Sequence, residues 1–470
     1  MKRPELPFFL LFVLICFPLL GFRLVSDGMF SDGMLYAAIA KNIALGEGSF
    51  WFPQVSDYYE QPFRAHPPLG FGMQALFFKI FGTAFWVERV YNLVLALLTG
   101  LLIVRLWQQA GGALRTAFVP LLFWMATEHI PMDFGNNLLE NPLSLWTLLC
   151  VYWQIRALKT KQWLYLIGAG AALLAAVLTK GPAGLFPLAG FGLYALAMYP
   201  REPGRWLRRA VLPTLLLVLS FAAAFGLLVL LQPDALVSLN EYFDYQLRGT
   251  FGREHARVYN TNAWHLPRRL VEQLLPALLL GAIGWGGQYF QKTGPDKRRK
   301  QWAWFFLLLG VAASAPLMLS PYQVTYYLMP SVPFYVLAIG LSIAPALERL
   351  LNFFKKKPRL ILGLNGVLVV GIVVFLFLCI GKWGQPVAGK HRAPLLDVAT
   401  LNQLYPEPTV FGADSILFND AGLQAYLARY TEVQLDSARC EDRKMVLLNE
   451  TAATSSSMRQ FQKFELVPCK

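Results

Sequence analysis

Charge is scarce in this chain. Only 15% of its 470 residues are Asp, Glu, Lys or Arg, against 56% hydrophobic, and the mean hydropathy is +0.44. Water-soluble globular proteins rarely go so far toward apolar residues. Acidic residues are the scarcer sign, 28 against 42 Lys and Arg, which leaves a formal charge of +14. In a soluble protein that excess would point to nucleic acid. In a chain with several apolar runs of spanning length, Lys and Arg concentrated in cytoplasmic loops explain it first, and no nucleic-acid partner is expected. Five cysteines are too few and too scattered for a disulfide framework. Cys16, Cys150 and Cys379 lie in apolar runs as small hydrophobes, and Cys440 and Cys469, in the polar tail, have the option of pairing only if that tail is exported. No internal repeat is evident, although SDGM occurs twice, at Ser26 and Ser31.

What is abundant is apolar length. Lys2 and Arg3 precede a run over residues 6–25, which lacks a small-x-small cleavage site and reads as an uncleaved first span with a cytoplasmic N-terminus. Further spans are expected over 86–107, 116–127, 138–155, 211–231, 274–289, 302–319, 326–344 and 360–380. The run 164–199 is too long for one span and is broken at Thr179-Lys180-Gly181-Pro182, so it reads as a hairpin of two helices with Lys180 near the outer interface. That makes about eleven spans. The short basic loops (Arg105 and Arg115; Arg156, Lys159 and Lys161; Arg201 to Arg209; Lys292 to Lys300; Arg349 to Arg359) then all fall on the inner side. The fold class expected is a mainly α polytopic membrane bundle over 1–381, with a small α/β domain over 382–470 on the extracytoplasmic side, periplasmic in a Gram-negative cell. In that domain residues 409–411 and 444–448 suit strands and 422–429 a helix.

Polar residues collect at the outer ends. The first outer loop, 26–85, holds Asp32 at the head of an expected helix over 33–45, whose Met34, Ile39 and Ile43 make an apolar side suited to a membrane surface. The plain reading is that Ser31 or Asp32 caps that helix. A carboxylate at the bilayer edge beside an apolar wall is also a candidate general base, and Ser31 as the cap leaves Asp32 available. Glu140, at the start of the fourth span, carries the same two readings, cap or functional carboxylate. Glu128, His129 and Asp133 lie nearby without a specific metal-ligand spacing, so no metal site is assigned, and a divalent metal remains only an option. Lys180 and His66 have harmless structural readings, as a snorkelling lysine and a hydrogen-bonding histidine, beside a functional one as contacts to an anionic headgroup. The outer loop 232–272 carries Arg248, Arg253, Arg257, Arg268 and Arg269 among Tyr242, Tyr245, Tyr259 and Trp264, on the side where such charge is disfavoured. Guanidinium groups at that interface suit phosphate.

Taken in order, Asp32-x-x-x-Tyr36-Ala37-x-Ile39-Ala40, His66-Pro67-Pro68-Leu69, Phe81-Gly82, Leu178-Thr179-Lys180-Gly181-Pro182 and Ser320-x-x-x-x-x-Tyr326-Tyr327-Leu328-Met329-Pro330 resemble blocks of the GT-C glycosyltransferases. The nearest branch is that of the aminoarabinose transferases and protein O-mannosyltransferases. The resemblance implies an inverting enzyme that moves a sugar from a polyprenyl-phosphate carrier, such as undecaprenyl phosphate, to a lipid, glycan or protein acceptor at the outer face of the cytoplasmic membrane. Lipid A modification and protein glycosylation are both within its range. By motif match Asp32 and Glu140 are the catalytic carboxylates. His66, Lys180, Arg64, Arg268 and Arg269 would hold the donor phosphate, and Tyr36, Tyr59, Tyr326 and Tyr327 would line the donor cavity. No cofactor is required by this reading. Two departures stand out: Gly33 follows Asp32 where relatives often have Glu, and Ala65-His66 stands where the aminoarabinose branch often has Glu-Lys. A transporter or flippase of lipid-linked sugars would also need outer cations, but would place polar residues at mid-membrane; here they sit at the outer ends.

Overall fold

The structure is a computed structural model and describes residues 3–251, 264–320, 323–387, 389, 391–437, 445–449 and 459–468. An apolar rod opens the chain: α1 (Leu6–Cys16) passes through a π turn into α2 (Phe22–Val25). Two helices, α3 (Ser31–Leu45) and α4 (Leu69–Phe81), build the segment expected to be the first outer loop, and α5 (Val87–Gln109) follows. After α6 (Phe118–Met125) and the short α7 (His129–Gly135) comes α8 (Glu140–Thr160). Next are α9 (Tyr165–Lys180), a 3-10 stretch over Gly181–Ala189, and α10 (Gly190–Met198). The long α11 (Pro203–Leu231) leads to α12 (Asp234–Phe251), α13 (His265–Phe290) and α14 (Lys297–Met318). A 3-10 turn over Thr325–Ser331 opens into α15 (Val332–Ser342), then α16 (Ala344–Lys355) and α17 (Pro358–Gly381).

This is a multi-pass membrane protein. Seven helical stretches among the described residues are long and apolar enough to cross a bilayer, eight if the bent pair Thr325–Ser342 and Ala344–Lys355 counts as one. On α11 and α17 Leu219, Leu230, Leu362, Val370 and Phe377 are more than half exposed, a distribution suited to lipid rather than water. The expected count of eleven differs for physical reasons. The stretch Leu114–Met125 is short, and α8, though of spanning length, carries Asn141, Ser144, Thr147 and Gln154 on its buried side. Tyr165–Met198 passes as one stretch, but it doubles back: a Cβ on Gly184 would lie 2.6 Å from the backbone of Ala176. The expected basic loop 349–359 is largely the amphipathic helix α16, bent by 65° from the helix before it, with Leu351 buried and Lys355 in its last turn.

One helix measures the bundle. The 21 residues of α8 span about 30 Å, the thickness of a bilayer's hydrocarbon core. At its C-terminal end the basic loops gather. Lys159 bonds the carbonyl of Gln109 and lies 5.4 Å from the Trp302 ring, while Arg299 pairs with Glu348 at 2.8 Å. Glu140 marks the opposite end, where the polar side chains singled out above collect.

The C-terminal domain contains α18 (Arg392–Leu404), α19 (Ser415–Phe418), α20 (Ala421–Tyr430) and a five-stranded sheet of β1 (Thr409–Ala413), β2 (Val433–Asp436), β3 (Met445–Asn449), β4 (Arg459–Gln460) and β5 (Phe464–Pro468). The order is β2-β1-β3-β5-β4, with β1 parallel to β2 and β3, and β5 antiparallel to both β3 and β4. The two expected strands and the expected helix are present with slightly shifted ends, and α18, α19, β2, β4 and β5 are additions. Cys440 and Cys469 lie outside the described residues. The domain's core is not its own: Met29 and Met34, from the first outer segment, are packed into it with Leu395, Phe411, Tyr426 and Leu435.

That packing corrects the expected setting of α3. It does not lie on a membrane surface. Nine of its residues, from Gly33 to Asn42, are buried, because it is sandwiched between α20 and α4. The small residues Gly33, Ala37, Ala38 and Ala40 let neighbours close in on more than one side, so the helix has no wet face of the kind an interfacial helix needs.

Candidate functional site

Asp32 is the second residue of α3. The N-cap position falls to Phe30, whose backbone is extended, and no side chain caps the helix. The capping reading of Ser31 and Asp32 therefore does not hold, and the Asp32 carboxylate is turned to another use. It accepts a hydrogen bond from the Tyr326 hydroxyl at 3.1 Å, which joins the front of the chain to the 3-10 turn before α15. Tyr326 and Tyr327 meet edge to face at 5.1 Å. The Lys180 ammonium sits 4.4 Å from the centre of the Tyr327 ring and 5.7 Å from that of Tyr326, and it is ion-paired with Glu140. That carboxylate is 1% exposed and the lysine side chain 10%, so the attraction is poorly screened and removal of one partner would strand the other.

His66 packs edge-on against Tyr36, ring centres 5.7 Å apart. Burial first, and the Lys180 charge second, hold its pKa down at about 3. That favours the neutral imidazole, which can give or take a hydrogen bond. The structure thus brings Asp32, Tyr36, His66, Glu140, Lys180, Tyr326 and Tyr327 into one cluster. Beside Tyr327, a cavity of about 270 Å³ runs between Leu143, Pro182, Phe186, Pro316 and Leu317.

The remaining phosphate candidates, Arg64, Arg268 and Arg269, stand apart, whereas Tyr59 packs against the same apolar cluster as Tyr36 and Tyr326. Arg64 pairs with Glu241 of α12 at 3.0 Å. Arg268 and Arg269 both reach Glu272, in their own helix, at 2.7 and 2.9 Å, in contacts open to solvent and of small energetic weight. Tyr59 lies edge-on to Phe418 of the C-terminal domain at 5.9 Å. Arg253, Arg257 and Tyr259 lie outside the described residues. Part of the arginine-rich loop does cover the cluster. Helix α12 presses Tyr242 so close to the hairpin tip that a Cβ on Gly181, where φ is +60°, would fall 2.1 Å from its hydroxyl. In the same helix Gln246 donates to the Ala65 carbonyl at 2.8 Å.

Sequence reasoning missed the frame that holds these groups. Asn137, with φ +55°, donates to the Gly33 carbonyl at 3.0 Å and to Gln74 at 3.2 Å. Asn92 donates to Asn137 at 2.7 Å, and Asn141 to Asn92 at 2.8 Å. This buried amide network ties α3, α4, α5 and the entrance of α8 together, with Gln74 Nε2 and Asn141 Oδ1 left without a partner. Only the Asn136-Asn137 pair ahead of Glu140 hinted at it. Gly33 has an equally firm reason: a Cβ there would lie 1.7 Å from the Asn136 carbonyl oxygen. No residue with a side chain fits after Asp32.

Asp133, with Glu128 and His129 before it, lies near Glu140. Glu128 accepts from Gln273 at 3.3 Å. His129 Nδ1 stands 3.7 Å from Asp133 Oδ1, too far for a hydrogen bond. Burial, with the Glu140 charge behind it, pushes Asp133 up to about 7 against the pull of His129. Among the described residues, no three His, Cys, Asp or Glu side chains converge as a metal requires. Another cavity, of about 660 Å³ between α1, α5 and α17, is apolar apart from Arg89.

Residues 65–229 match the family model described as dolichyl-phosphate-mannose-protein mannosyltransferase. An uncharacterised protein of Aquifex aeolicus is 30% identical over 170 residues, 36% of this chain, so that the match spans only a third (33%) of that protein's length. The crystal structure of ArnT from Cupriavidus metallidurans is similar from end to end, with a TM-score of 0.64 at 14% identity over 97% of both chains. Its form bound to undecaprenyl phosphate matches equally well, over 98% of this chain and 97% of that one. The apo oligosaccharyltransferase of Archaeoglobus fulgidus gives 0.52 at 13% identity, over 94% of this chain and 69% of that one. The chain has the GT-C fold, a membrane bundle with an attached small domain, as its motifs implied.

Proposed function

We propose that this GT-C-fold protein is an inverting glycosyltransferase, moving a sugar from a polyprenyl-phosphate carrier to a hydroxyl of a lipid, glycan or protein at the outer face of the cytoplasmic membrane. The observation that carries this reading is the single cluster in which a carboxylate, Asp32, and an ammonium, Lys180, face the same pair of tyrosines. The two halves of the reaction need those two charges. As the acceptor oxygen attacks the anomeric carbon, the bond from that carbon to the phosphate oxygen breaks and its electron pair leaves with the carrier phosphate. The acceptor proton passes to Asp32, and Lys180 offsets the charge gathering on the departing phosphate. One displacement from the face opposite the leaving group inverts the centre.

Glu140 holds the Lys180 ammonium and leaves its remaining N–H bonds for the phosphate. His66, neutral, donates or accepts a hydrogen bond at the sugar or phosphate. The cavity beside Tyr327 suits the first isoprene units of the carrier. Undecaprenyl phosphate in the similar ArnT fold supports a carrier of this class. Arg64, Arg268 and Arg269 serve as outer interfacial charges that attract the anionic carrier rather than as contacts to its phosphate. With the basic loops at the other end of the bundle, the N-terminus is cytoplasmic and the C-terminal domain extracytoplasmic.

The test is transfer in proteoliposomes from a polyprenyl-phosphate sugar to a hydroxyl acceptor. Asp32→Asn is expected to lower the transfer rate by at least about 100-fold while carrier binding stays unchanged. Full transfer by that variant would remove Asp32 from the chemistry. Wild-type protein that carries donor across the bilayer and transfers nothing would replace the enzyme with a transporter.

A further inference from the structure

The segment that delivers Asp32 is held from outside itself at nearly every residue. The Asp27 amide donates to the Gln385 carbonyl at 2.9 Å, its carbonyl accepts from the Val387 amide at 2.7 Å, and its carboxylate accepts from the Tyr430 hydroxyl. Arg89 donates to the Gly28 carbonyl at 2.6 Å. At Met29, one hydroxyl does two things: Tyr426 Oη accepts from the Met29 amide at 3.0 Å and donates to the Met29 carbonyl at 2.8 Å. Phe30 donates to Asn136 at 2.9 Å. At the next residue, Ser31, α3 begins, and the carboxylate of Asp32 meets the Tyr326 hydroxyl.

Four of those partners, Gln385, Val387, Tyr426 and Tyr430, belong to the C-terminal domain or the segment leading into it. That domain is itself anchored hard. Arg429, one turn after Tyr426 on α20, pairs with Glu88 at 2.9 Å with both side chains at most 1% exposed. It also donates to the carbonyls of Thr83 and Ala84, each at 2.9 Å. Tyr426 is 1% exposed and its ring is packed in the domain's core beside Met29 and Met34. A domain attached only for solubility or recruitment would touch the bundle through solvated loops. This one closes its own core with two residues that flank Asp32.

We infer that the C-terminal domain is part of the transfer machinery, and that Tyr426 is a positioning residue which fixes the backbone at Met29 and so the Asp32 carboxylate against Tyr326. The domain's effect on turnover rests on the glycosyl-transfer reading above, whereas its hold on the segment does not. A displacement of about 1 Å at a reacting group costs on the order of 100-fold in rate, which is what loosening this clamp should approach.

Tyr426→Phe keeps the ring in the core and removes both hydrogen bonds to Met29. In full-length protein in nanodiscs, amide exchange over residues 29–36 is expected to rise at least about 10-fold, with exchange over 392–404 unchanged. Single-turnover transfer should fall about 10- to 100-fold, with the dissociation constant for undecaprenyl phosphate within about 2-fold of wild type. Unchanged exchange over 29–36 overturns the clamp. Raised exchange with unchanged transfer overturns its role in positioning Asp32, and so does a loss of carrier affinity equal to the loss of rate. If wild-type protein transfers nothing, the glycosyl-transfer reading falls and the exchange result decides the clamp alone. Should Tyr426→Phe fail to fold, Tyr430→Phe, which frees only Asp27, is read in the same way.

Discussion

Lys180 and Glu140 are the pair on which the site's electrostatics turn. Each was a separate candidate in the sequence, one for phosphate and one for catalysis, and nothing in a spacing of forty residues couples them. Burial makes them inseparable. Lys180→Met would leave a carboxylate that is 1% exposed without its counter-ion, at a cost of about 3–5 kcal/mol. The double variant Lys180→Met, Glu140→Gln removes the stranded charge and should recover much of that loss, although neither form transfers sugar at the wild-type rate. Thermal unfolding of the four forms in detergent measures the coupling. A double variant as unstable as Lys180→Met would mean that the two groups do not depend on each other. Asp32 is the contrasting case, found by motif spacing and placed beside Tyr326 by a contact 294 residues away in sequence.

The element that decides the site is α3. Its existence was legible: the apolar period and the Ser-Asp start read as a helix, and the ends agree to within two residues. Its environment was not, since alanine and glycine look neutral in a periodicity argument and yet here admit α20 on one side and α4 on the other. Gly33 shows the consequence. Read as the absence of a familiar Glu, it is in fact a contact point, where a Cβ would fall 1.7 Å from the Asn136 carbonyl. Gly33→Ala should therefore push α3 from the backbone at Asn136, lowering the melting temperature and the transfer rate together. Gly192→Ala, at a helical position with nothing within 4 Å, is the matched control and should behave as wild type or slightly better. Equal behaviour of the two variants would show that the close approach at Gly33 is not required.

At the scale of the whole molecule, the bundle separates two kinds of charge. Basic loops gather at one end of α8 and the Asp32–Lys180 cluster at the other, with the C-terminal domain bound beside the cluster. Single cysteines introduced in a cysteine-free background read the orientation directly. Glu407→Cys, exposed on the C-terminal domain, should react with an impermeant maleimide added to intact cells. Lys300→Cys, exposed in the basic first turn of α14, should react only after the membrane is opened. The reverse pattern would place the cluster on the cytoplasmic side and overturn the outer-face reading.

The sequence by itself determined the membrane bundle, the break at Lys180-Gly181-Pro182, a small α/β tail and the shortlist of polar groups. Those features follow from composition, hydropathy and local backbone chemistry, which act within a few residues of one another. Only the tertiary structure decided which polar groups meet. Lys180 against Glu140, Tyr326 against Asp32, Tyr426 against Met29 and Arg429 against Glu88 are joined across 40 to 397 residues. The cost of leaving a polar group unpaired in a low-dielectric interior, rather than any local signal, is what selects such partners. By the same rule Arg64, Arg268 and Arg269, which remain in water, find nearby carboxylates and stay outside the cluster.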